Sequence, residues 1–384
     1  MRTDNLKLLF EKNEKEKITV VKKNGKFGLH FTLRNCKVDG KKIAYLVSQV
    51  GYAIEKYKNT SVPVYFNLHN VIFMDKLTYV ILECICYFLI KTFKIKVSFN
   101  MTNVKLYIAN EGVINSPIYL IANGNTNIEG FVKKFNIDLY GQHYRKILKA
   151  EDNYNDALSK LLTDVKNFLR NLDVDLEYGR EVSKVVSELA GNSMEHAKSD
   201  CLIDIDVTRE YRKEDGKEKY VGINIVILNF SNKLFYEELK NKMKKTLVSS
   251  ERYKLVEEAY NNHMKFFNND YKESDFFSVA SFQHKISGRV DTSATGGTGL
   301  TALISSLEKK ADLHACYLLS GQRVINFQHE FLEYDENNWI GFNKENDFLN
   351  VRPDDDVFEK CAMFFPGTAY NLSFVICKEK GEVL

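Results

Sequence analysis

The sequence has little net charge and no apolar run long enough to cross a membrane. Its 54 Lys and Arg residues nearly balance 51 Asp and Glu residues, and the net charge of +3 does not indicate a nucleic-acid or membrane surface. The longest apolar run, residues 79–90, is too short for a bilayer and contains Glu83. Residues 1–17 lack the uninterrupted apolar core of a signal peptide. We therefore expect a soluble, cytoplasmic protein.

Cysteine is sparse and shows no pairing pattern. The seven cysteines are odd in number and lie scattered in mostly apolar segments, which is typical of reduced core thiols and not of a disulfide framework. Cys84 and Cys86 form a CxC pair that could bind a metal, but no second Cys or His cluster accompanies them. A position in the core is the favoured interpretation.

Alternating strand and helix patterns organise the first part of the chain. Residues 1–110 predict a small α/β domain, with an amphipathic helix and then a strand, a buried helix and another strand. Residues 111–150 are less regular and predict a connector.

The remaining residues, 151–384, predict an α+β two-layer sandwich. Two amphipathic helices come first, followed by a strand hairpin, a charged and mostly helical stretch, a loop running into a helix, and three more strands. The predicted elements are, in order, helices 156–172 and 179–198, strands 201–212 and 219–230, the helical stretch 233–285, the loop and helix 291–310, and strands 313–321, 323–331 and 368–377. No internal repeat is evident.

Residues 187–196 read SELAGNSMEH and place polar side chains in a column. Glu188, Asn192 and His196 recur at four-residue intervals, so they lie above one another on one helical face. A carboxylate, an amide and an imidazole in this arrangement face either a ligand or solvent.

A second motif, GGTGL, precedes a helix that begins near Leu300. Glycines let the backbone approach a ligand closely, and the free N–H groups at a helix start favour anions. Glycine clusters also build ordinary turns, so this motif alone does not establish a phosphate site.

The order of these motifs resembles the GHKL ATP-binding fold of gyrase B, the ninety-kilodalton heat-shock chaperone, histidine kinases and MutL. Glu188 and Asn192 match the E-x-x-x-N box of its first long helix, GGTGL matches its glycine-rich box, and Thr368 follows Gly367 where a Gly-Thr pair precedes a late strand. The resemblance covers about residues 150–380 and implies a Bergerat fold that binds ATP and Mg²⁺. The binding residues that it implies are Asn192, Asn229, Gly296, Gly297, Thr298, Gly299, Leu300 and Thr368, and Arg289 is a further candidate because it lies close to the glycine-rich motif in the sequence.

The chemistry of these residue types agrees with the implied roles. Asn192 offers Mg²⁺ an oxygen ligand, and Glu188, one turn back, would orient or deprotonate an attacking water or hydroxyl. The glycine-rich backbone would hold the β- and γ-phosphates. Residues 233–295 would form a long lid, from which Lys285 and Arg289 either pair with phosphate or face solvent.

One box departs from the family pattern. Asn229 stands where an aspartate would accept a hydrogen bond from the adenine amine, and Ser231 and Lys233 replace two glycines. The Asn229 oxygen can still accept such a bond, but the loop must follow another path without glycine. We therefore expect the protein to bind a nucleotide, but this altered box gives no reason to expect efficient turnover.

Residues 40–105 more weakly resemble a STAS domain, the fold of anti-sigma-factor antagonists. Those proteins carry a phosphorylatable Ser or Thr at the start of the central helix, just after an Asp. Here Asp75 occupies the place of that Asp, and Thr78 is the nearest hydroxyl. The alternative is a generic α/β domain in which Asp75 caps the helix.

Together these patterns predict a Mg²⁺-ATP-binding regulatory protein that hydrolyses ATP slowly or phosphorylates a protein partner, like an anti-sigma Ser/Thr kinase. The alternative is a non-catalytic nucleotide-gated switch or scaffold that controls assembly with a partner, in bacterial stress signalling or phage defence. We expect a protein partner on the first domain or the lid, leave a homodimer open, and expect neither a membrane nor nucleic acid as partner.

Overall fold

The computed structural model describes residues 1–23, 25–57, 62–106, 115–208, 211–212, 219–245, 251–286, 299–310 and 316–378. The α-helices are α1 (Thr3–Glu11), α2 (Gly40–Tyr57), α3 (Lys76–Phe93), α4 (Ile128–Asn136), α5 (Tyr154–Arg170), α6 (Leu176–Glu195), α7 (Glu237–Lys245), α8 (Glu251–His263), α9 (Glu273–Ser281) and α10 (Gly299–Lys310). The strands are β1 (Val21–Lys23), β2 (Lys26–Val38), β3 (Val64–Phe73), β4 (Val97–Leu106), β5 (Ile137–Tyr140), β6 (His143–Leu148), β7 (Cys201–Val207), β8 (Tyr211–Arg212), β9 (Lys219–Phe230), β10 (Tyr317–Asn326) and β11 (Phe358–Lys378).

A four-stranded sheet with the order β1-β2-β3-β4 forms the first layer. Strands β2, β3 and β4 pair in parallel, with α2 and α3 as the crossovers, and β1 adds an antiparallel edge. Helix α3 begins where the Asp75 carboxylate accepts a hydrogen bond from the Thr78 N–H at 2.7 Å, and ends at Lys94 in the left-handed conformation. The predicted strand–helix–strand order is confirmed.

The three parallel strands share a repeat, so the expectation of no internal repeat is wrong. The motif Phe-x-(Leu/Met)-x-Asn ends at Asn35 in β2, Asn70 in β3 and Asn103 in β4, in register across the sheet. These asparagines have φ of 49°, 51° and 52°, a region that asparagine tolerates better than most residues. The amide of Asn103 donates to Asn70 and that of Asn70 to Asn35, at 3.1 and 3.0 Å. The aligned kinks let each strand keep its apolar side chains on the core face.

A seven-stranded sheet forms a second layer. Its order is β10-β11-β9-β7-β6-β5, with β8 also paired to β9, and all described pairings are antiparallel. Strands β5 and β6 lie within the predicted connector. β10 runs through Gly321, where φ of 60° and a shifted register mark a bulge, so the two strands predicted over 313–331 are one. A mixed α/β chain with a largely parallel and an antiparallel sheet is confirmed.

The seven-stranded sheet is apolar on both faces. Ile203, Ile225 and Ile227 pack into a cluster with helices α5 to α10, whereas the alternating Leu202 and Leu228 pack into a second cluster with α1, α2, α3 and the first sheet. Strands buried on both faces read as nearly continuous apolar runs, as β9 does. Helix α3 therefore lies between the two sheets.

The burial of α3 between the two sheets tests several predictions that were made from the sequence. Thr78, the hydroxyl nearest to the STAS-like phosphorylation position, is 3% exposed and donates to the Asp75 carbonyl oxygen at 2.9 Å. Cys84 and Cys86 are fully buried free thiols, which confirms their place in the core. Among the described residues, no helix is both long and apolar enough to span a membrane.

Charged side chains join α3 to the seven-stranded sheet inside this core. Lys76 pairs with Asp204 and, at 2.5 Å, with Asp206 on β7. Arg145 on β6 pairs with Glu83 of α3 and with Asp204. None of the five is more than 6% exposed. Each charge offsets the desolvation cost of its neighbours, so loss of one partner leaves an uncompensated buried charge.

His143 supplies a further positive charge to this network. Its Nδ1 lies 2.8 Å from Asp138 and its Nε2 3.1 Å from Asp204. Burial alone would lower the pKa of His143, but the nearby Asp204, Asp138 and Asp206 outweigh burial and raise the pKa to about 9. The imidazole is therefore protonated at neutral pH.

Replacing Lys76 by Met should lower the free energy of unfolding by about 3–5 kcal/mol, because Asp204 and Asp206 would lose a buried cation. Lys91→Met, at an exposed position on the same helix, is the control and should change it by less than about 0.5 kcal/mol. Urea denaturation of both variants measures the difference, and equal effects would contradict a role for the buried pairs.

The raised pKa of His143 also predicts a pH dependence of stability. Protonated His143 stabilises the fold fully below pH 6.5, and this contribution, on the order of 3 kcal/mol, is lost as pH rises through about 9. His143→Gln should therefore flatten the decline in unfolding free energy between pH 6.5 and 9, measured by urea denaturation across that range. A decline as steep as that of the wild type would assign it to another group.

Candidate functional site

Helix α6 is fixed so that one side faces the core and another remains open. Its N-cap Asp175 accepts a hydrogen bond from the Tyr178 N–H at 2.9 Å. Gly191 lets α5 pack closely, because a Cβ at this position would lie 2.9 Å from the Tyr154 hydroxyl oxygen. The apolar residues of α6 pack into the cluster on the seven-stranded sheet. This packing sets the direction of the polar column.

The column Glu188, Asn192 and His196 lines a cavity of about 520 Å³. Glu188 is exposed, and Asn192 and His196 are half-buried. The volume lies within the range of small-molecule sites in proteins. The column therefore lines an open cavity of ligand size.

The ends of two neighbouring strands line the same cavity. Asn229 on β9 is opposite Thr368 on β11, and the Thr368 N–H donates to the Asn229 side-chain oxygen at 3.1 Å. Gly367 has φ of 107°, and a Cβ there would lie 2.4 Å from the Asn229 carbonyl oxygen. Glycine is therefore required beside this contact.

The start of α10 adds another wall. Gly299 begins the helix, Leu300 lines the cavity, and α10 packs against α6. Thr301 fixes this end by contacting His284 Nδ1 at 3.3 Å. The cavity thus brings together five predicted site residues, Glu188, Asn192, Asn229, Leu300 and Thr368. The other predicted residues of the glycine loop and lid lie outside the described residues: Arg289, Gly296, Gly297 and Thr298.

The predicted lid is partly a component of the core. Tyr253 and Val256 of α8 and Phe276 of α9 belong to the apolar cluster on the seven-stranded sheet. Helix α7, Ser281 and Ile286 line the cavity, whereas Lys285 does not. The helical content predicted for residues 233–285 is confirmed.

Helix α7 and the turn before it supply site residues that sequence reasoning missed. Lys233 Nζ donates to the His196 carbonyl oxygen at 2.7 Å, and His196 Nδ1 contacts the Glu238 carboxylate. Glu237 and Asn241 also line the cavity. The sequence feature that could have indicated these residues was their position directly after β9. Their contacts could not be predicted, because they connect elements that are far apart in the sequence.

The turn after β9 is closed by a serine. The Ser231 hydroxyl accepts a hydrogen bond from the Lys233 N–H at 3.1 Å and donates to the Lys233 carbonyl oxygen at 2.9 Å. The Ser231 N–H donates to the Pro366 carbonyl oxygen at 3.2 Å. These bonds hold the loop in a tight turn without glycine at position 231 or 233.

The described lining of the cavity is acidic. Glu188, Glu237 and Glu238 contribute three carboxylates, against the ammonium group of Lys233 and the imidazole of His196. A negative potential of this kind disfavours a bare anion and favours a cation, or an anion that arrives with a metal ion. Asn192 can offer such an ion a neutral oxygen ligand.

A second group of metal-type ligands lies in the core. His143, Asp204 and Asp206 have ligand atoms within 4.8 Å of one another. Lys76 and Arg145 already pair with these aspartates. The group is therefore neutralised by side-chain cations, which leaves little attraction for a metal ion.

Comparison with known proteins does not assign the cavity. No protein-family model, no curated protein and no solved structure matches the chain. The functional argument therefore starts from the residues that line the cavity.

Proposed function

We propose that the cavity binds a purine nucleoside triphosphate with Mg²⁺ and that the protein is a regulatory protein of the GHKL type. The main support for this proposal is that three predicted parts of the site line one cavity. These parts are the polar column of α6, the ends of β9 and β11, and the start of α10. Asn192 and Thr368 are 176 positions apart in the sequence, yet both line this cavity. Both are also binding residues that the motif resemblance implies. ATP is the nucleotide that this resemblance implies.

In this proposal the metal ion is required by the charge of the cavity. A triphosphate beside Glu188, Glu237 and Glu238 would be repelled, whereas a Mg²⁺-triphosphate carries less negative charge. Asn192 supplies an oxygen ligand to the ion. The N–H groups at the start of α10 face the phosphates, as helix starts commonly do.

Glu188 carries the proposed reaction. Its carboxylate lines the cavity one helical turn before Asn192, so a water or hydroxyl near the metal-bound phosphate lies within its reach. There it would orient or deprotonate the attacking oxygen. The bond between the γ-phosphorus and the β-phosphate oxygen would break, the γ-phosphoryl group would pass to water or to a hydroxyl side chain of a protein partner, and the nucleoside diphosphate would leave.

The proposed partner docks away from the start of α3. In a STAS-like arrangement the switch hydroxyl would be at this start, but Thr78 is buried. The remaining surface of the N-terminal part and helix α7 are the candidate docking regions, and a homodimer is a further option. Because Glu237, Glu238, Leu239 and Asn241 of α7 line the cavity, α7 is the proposed closing element.

A second function is favoured by the turn after β9. Ser231 and Lys233 replace the family glycines, and Lys233 and Glu238 bind the end of α6 through His196. These contacts suit a switch in which nucleotide binding moves α7 without turnover. Glu188 favours the enzyme, since binding alone has little use for a base.

A nucleoside triphosphate with Mg²⁺ should raise the thermal unfolding midpoint by several degrees, because a ligand at 100 times its Kd stabilises the native state by about 2.7 kcal/mol. ATP and GTP are each tested with and without Mg²⁺. Asn192→Ala should abolish most of the Mg²⁺-dependent increment, whereas Glu177→Ala, at an exposed position on the first turn of α6, should retain it. No shift with either nucleotide would overturn the proposal.

Glu188→Gln should lower nucleotide hydrolysis or phosphoryl transfer by about 100-fold or more while nucleotide binding is kept, because the amide cannot take a proton. Release of inorganic phosphate and phosphorylation of co-purified partners measure the rate, and Glu177→Gln serves as the control. Equal, near-zero rates in the wild type and both variants would leave the non-catalytic switch as the function.

A further inference from the structure

We infer that the four-stranded sheet binds single-stranded nucleic acid on the face that is turned away from α3. Parallel crossovers are right-handed in nearly all proteins, so α2 and α3 lie on one side of this sheet. We call the other side the open face. Its rows across β2, β3 and β4 are His30, Tyr65 and Ser98, then Thr32, Asn67 and Asn100, then Arg34, His69 and Thr102.

The side chains show that the open face is separate from the core. Phe31 and Phe66, which alternate with its residues, belong to the apolar cluster that contains α3. Tyr65 belongs to neither apolar cluster, although it is buried. Thr32 and Thr102 are exposed. A ligand in solvent can therefore reach this side of the sheet.

The charged residues of the sheet all carry the same sign. Strands β1 to β4 contain no Asp or Glu. The carboxylates that directly follow β2 and near the end of β3 cap helices, since Asp39 accepts the Lys42 N–H at 3.0 Å and Asp75 accepts the Thr78 N–H at 2.7 Å. The cations of the open face are Lys23 and Lys26, beside its first two rows, and Arg34, Lys37 and Lys105 at its other end. The net charge of +3 for the whole chain does not reveal this separation, which favours a polyanion as ligand.

Three of these cations are available to a ligand. Beyond the asparagine kinks, Val38 and Leu106 return to the core, so that their neighbours Lys37 and Lys105 lie on the open face. Lys37, Lys105 and Arg34 are exposed, and none of them forms an ion pair among the described residues. Their charges are therefore free to contact phosphate groups.

The middle of the open face carries neutral groups of the kind that contact bases. The Asn100 NH₂ donates to the Asn67 side-chain oxygen at 2.7 Å, and the His30 ring stacks on Tyr65 with 4.8 Å between the ring centroids. His69 adds a half-buried imidazole in the third row. Unpaired bases stack on such rings and form hydrogen bonds with such amides. The contacts within the face hold these groups in place before a ligand binds.

A single strand fits this arrangement better than other polyanions do. A duplex presents its base edges in grooves, which accept a helix or a two-stranded ribbon and not the face of a broader sheet. An acidic peptide or an anionic membrane is attracted by the cations but brings no bases to the rings. This inference does not depend on the nucleotide that we propose for the cavity.

The test measures binding of the full-length protein to labelled oligo(U) and oligo(dT) of about 16 nucleotides by fluorescence anisotropy at several salt concentrations. The wild type should bind both, because both have phosphates and accessible base faces. Arg34→Gln should weaken binding about fivefold and reduce the slope of log affinity against log salt by about 0.7, since one phosphate contact is lost. Arg170→Gln, at the exposed end of α5, removes the same charge and should change neither quantity.

A second variant tests the rings. His69→Ala should weaken binding of both oligonucleotides about fivefold or more, because a base loses its stacking partner. His329→Ala, at an exposed position in the other part of the chain, is its control and should have no effect. Urea denaturation verifies that all variants remain folded.

Four results would overturn the inference. They are absence of binding to both oligonucleotides, tighter binding of a duplex of the same length, equally effective displacement by polyglutamate or by vesicles of anionic lipid, and equal effects of Arg34→Gln and Arg170→Gln. Each of them would leave the proposed function of the cavity standing, because the cavity and the open face share no residue.

Discussion

Lys76 and Glu83 carry charge from α3 into the apolar space between the two sheets, where Asp204, Asp206 and Arg145 meet them. Desolvation of these groups is costly, so α3 can occupy this place only while each charge keeps its partner. The same contacts hold β7, and β7 pairs with β9 such that Cys201 is opposite Asn229. The buried network and the cavity therefore depend on one correctly assembled sheet.

The position of α3 limits how the N-terminal part can act. Its first residues are bound to the seven-stranded sheet, because the Leu77 N–H donates to the Asn371 side-chain oxygen at 3.1 Å and Lys76 pairs with Asp206. Modifying Thr78 would require separating α3 from the sheet and exposing five buried charges. A regulatory partner that leaves the fold intact must therefore use another surface.

The sequence predicted local features well because they depend on neighbouring residues. Asp75 before an apolar run predicts the start of α3, and four-residue spacing predicts the column of Glu188 and Asn192. Strands β5 and β6 were missed because β5 has only four residues, and Ile137 and Leu139 on it are exposed, without the usual alternation.

Features that join distant segments were not predictable in this way. The pairing of Lys76 with Asp206 and the contact of His196 with Glu238 exist only after the helices meet the sheet. Among the residues that line the cavity, those in recognised motifs were predicted from the sequence. Glu237 and Asn241 were not predicted, because their place in the lining depends on where α7 packs. The asparagine repeat was present in the sequence, but its meaning depends on the register of three parallel strands.

An amide at position 229, where the motif resemblance would expect an aspartate, is consistent with the electrostatics of the cavity. A carboxylate at this 3% exposed position would have the Thr368 N–H as its partner, in a cavity that already carries Glu188, Glu237 and Glu238. Burial and like charges both disfavour the ionised form of such a group. A neutral amide keeps the bond to Thr368 without adding charge, and its NH₂ group gives the cavity a donor among acceptors. An amide at this position therefore keeps the contact between β9 and β11 while it limits the negative charge of the described lining.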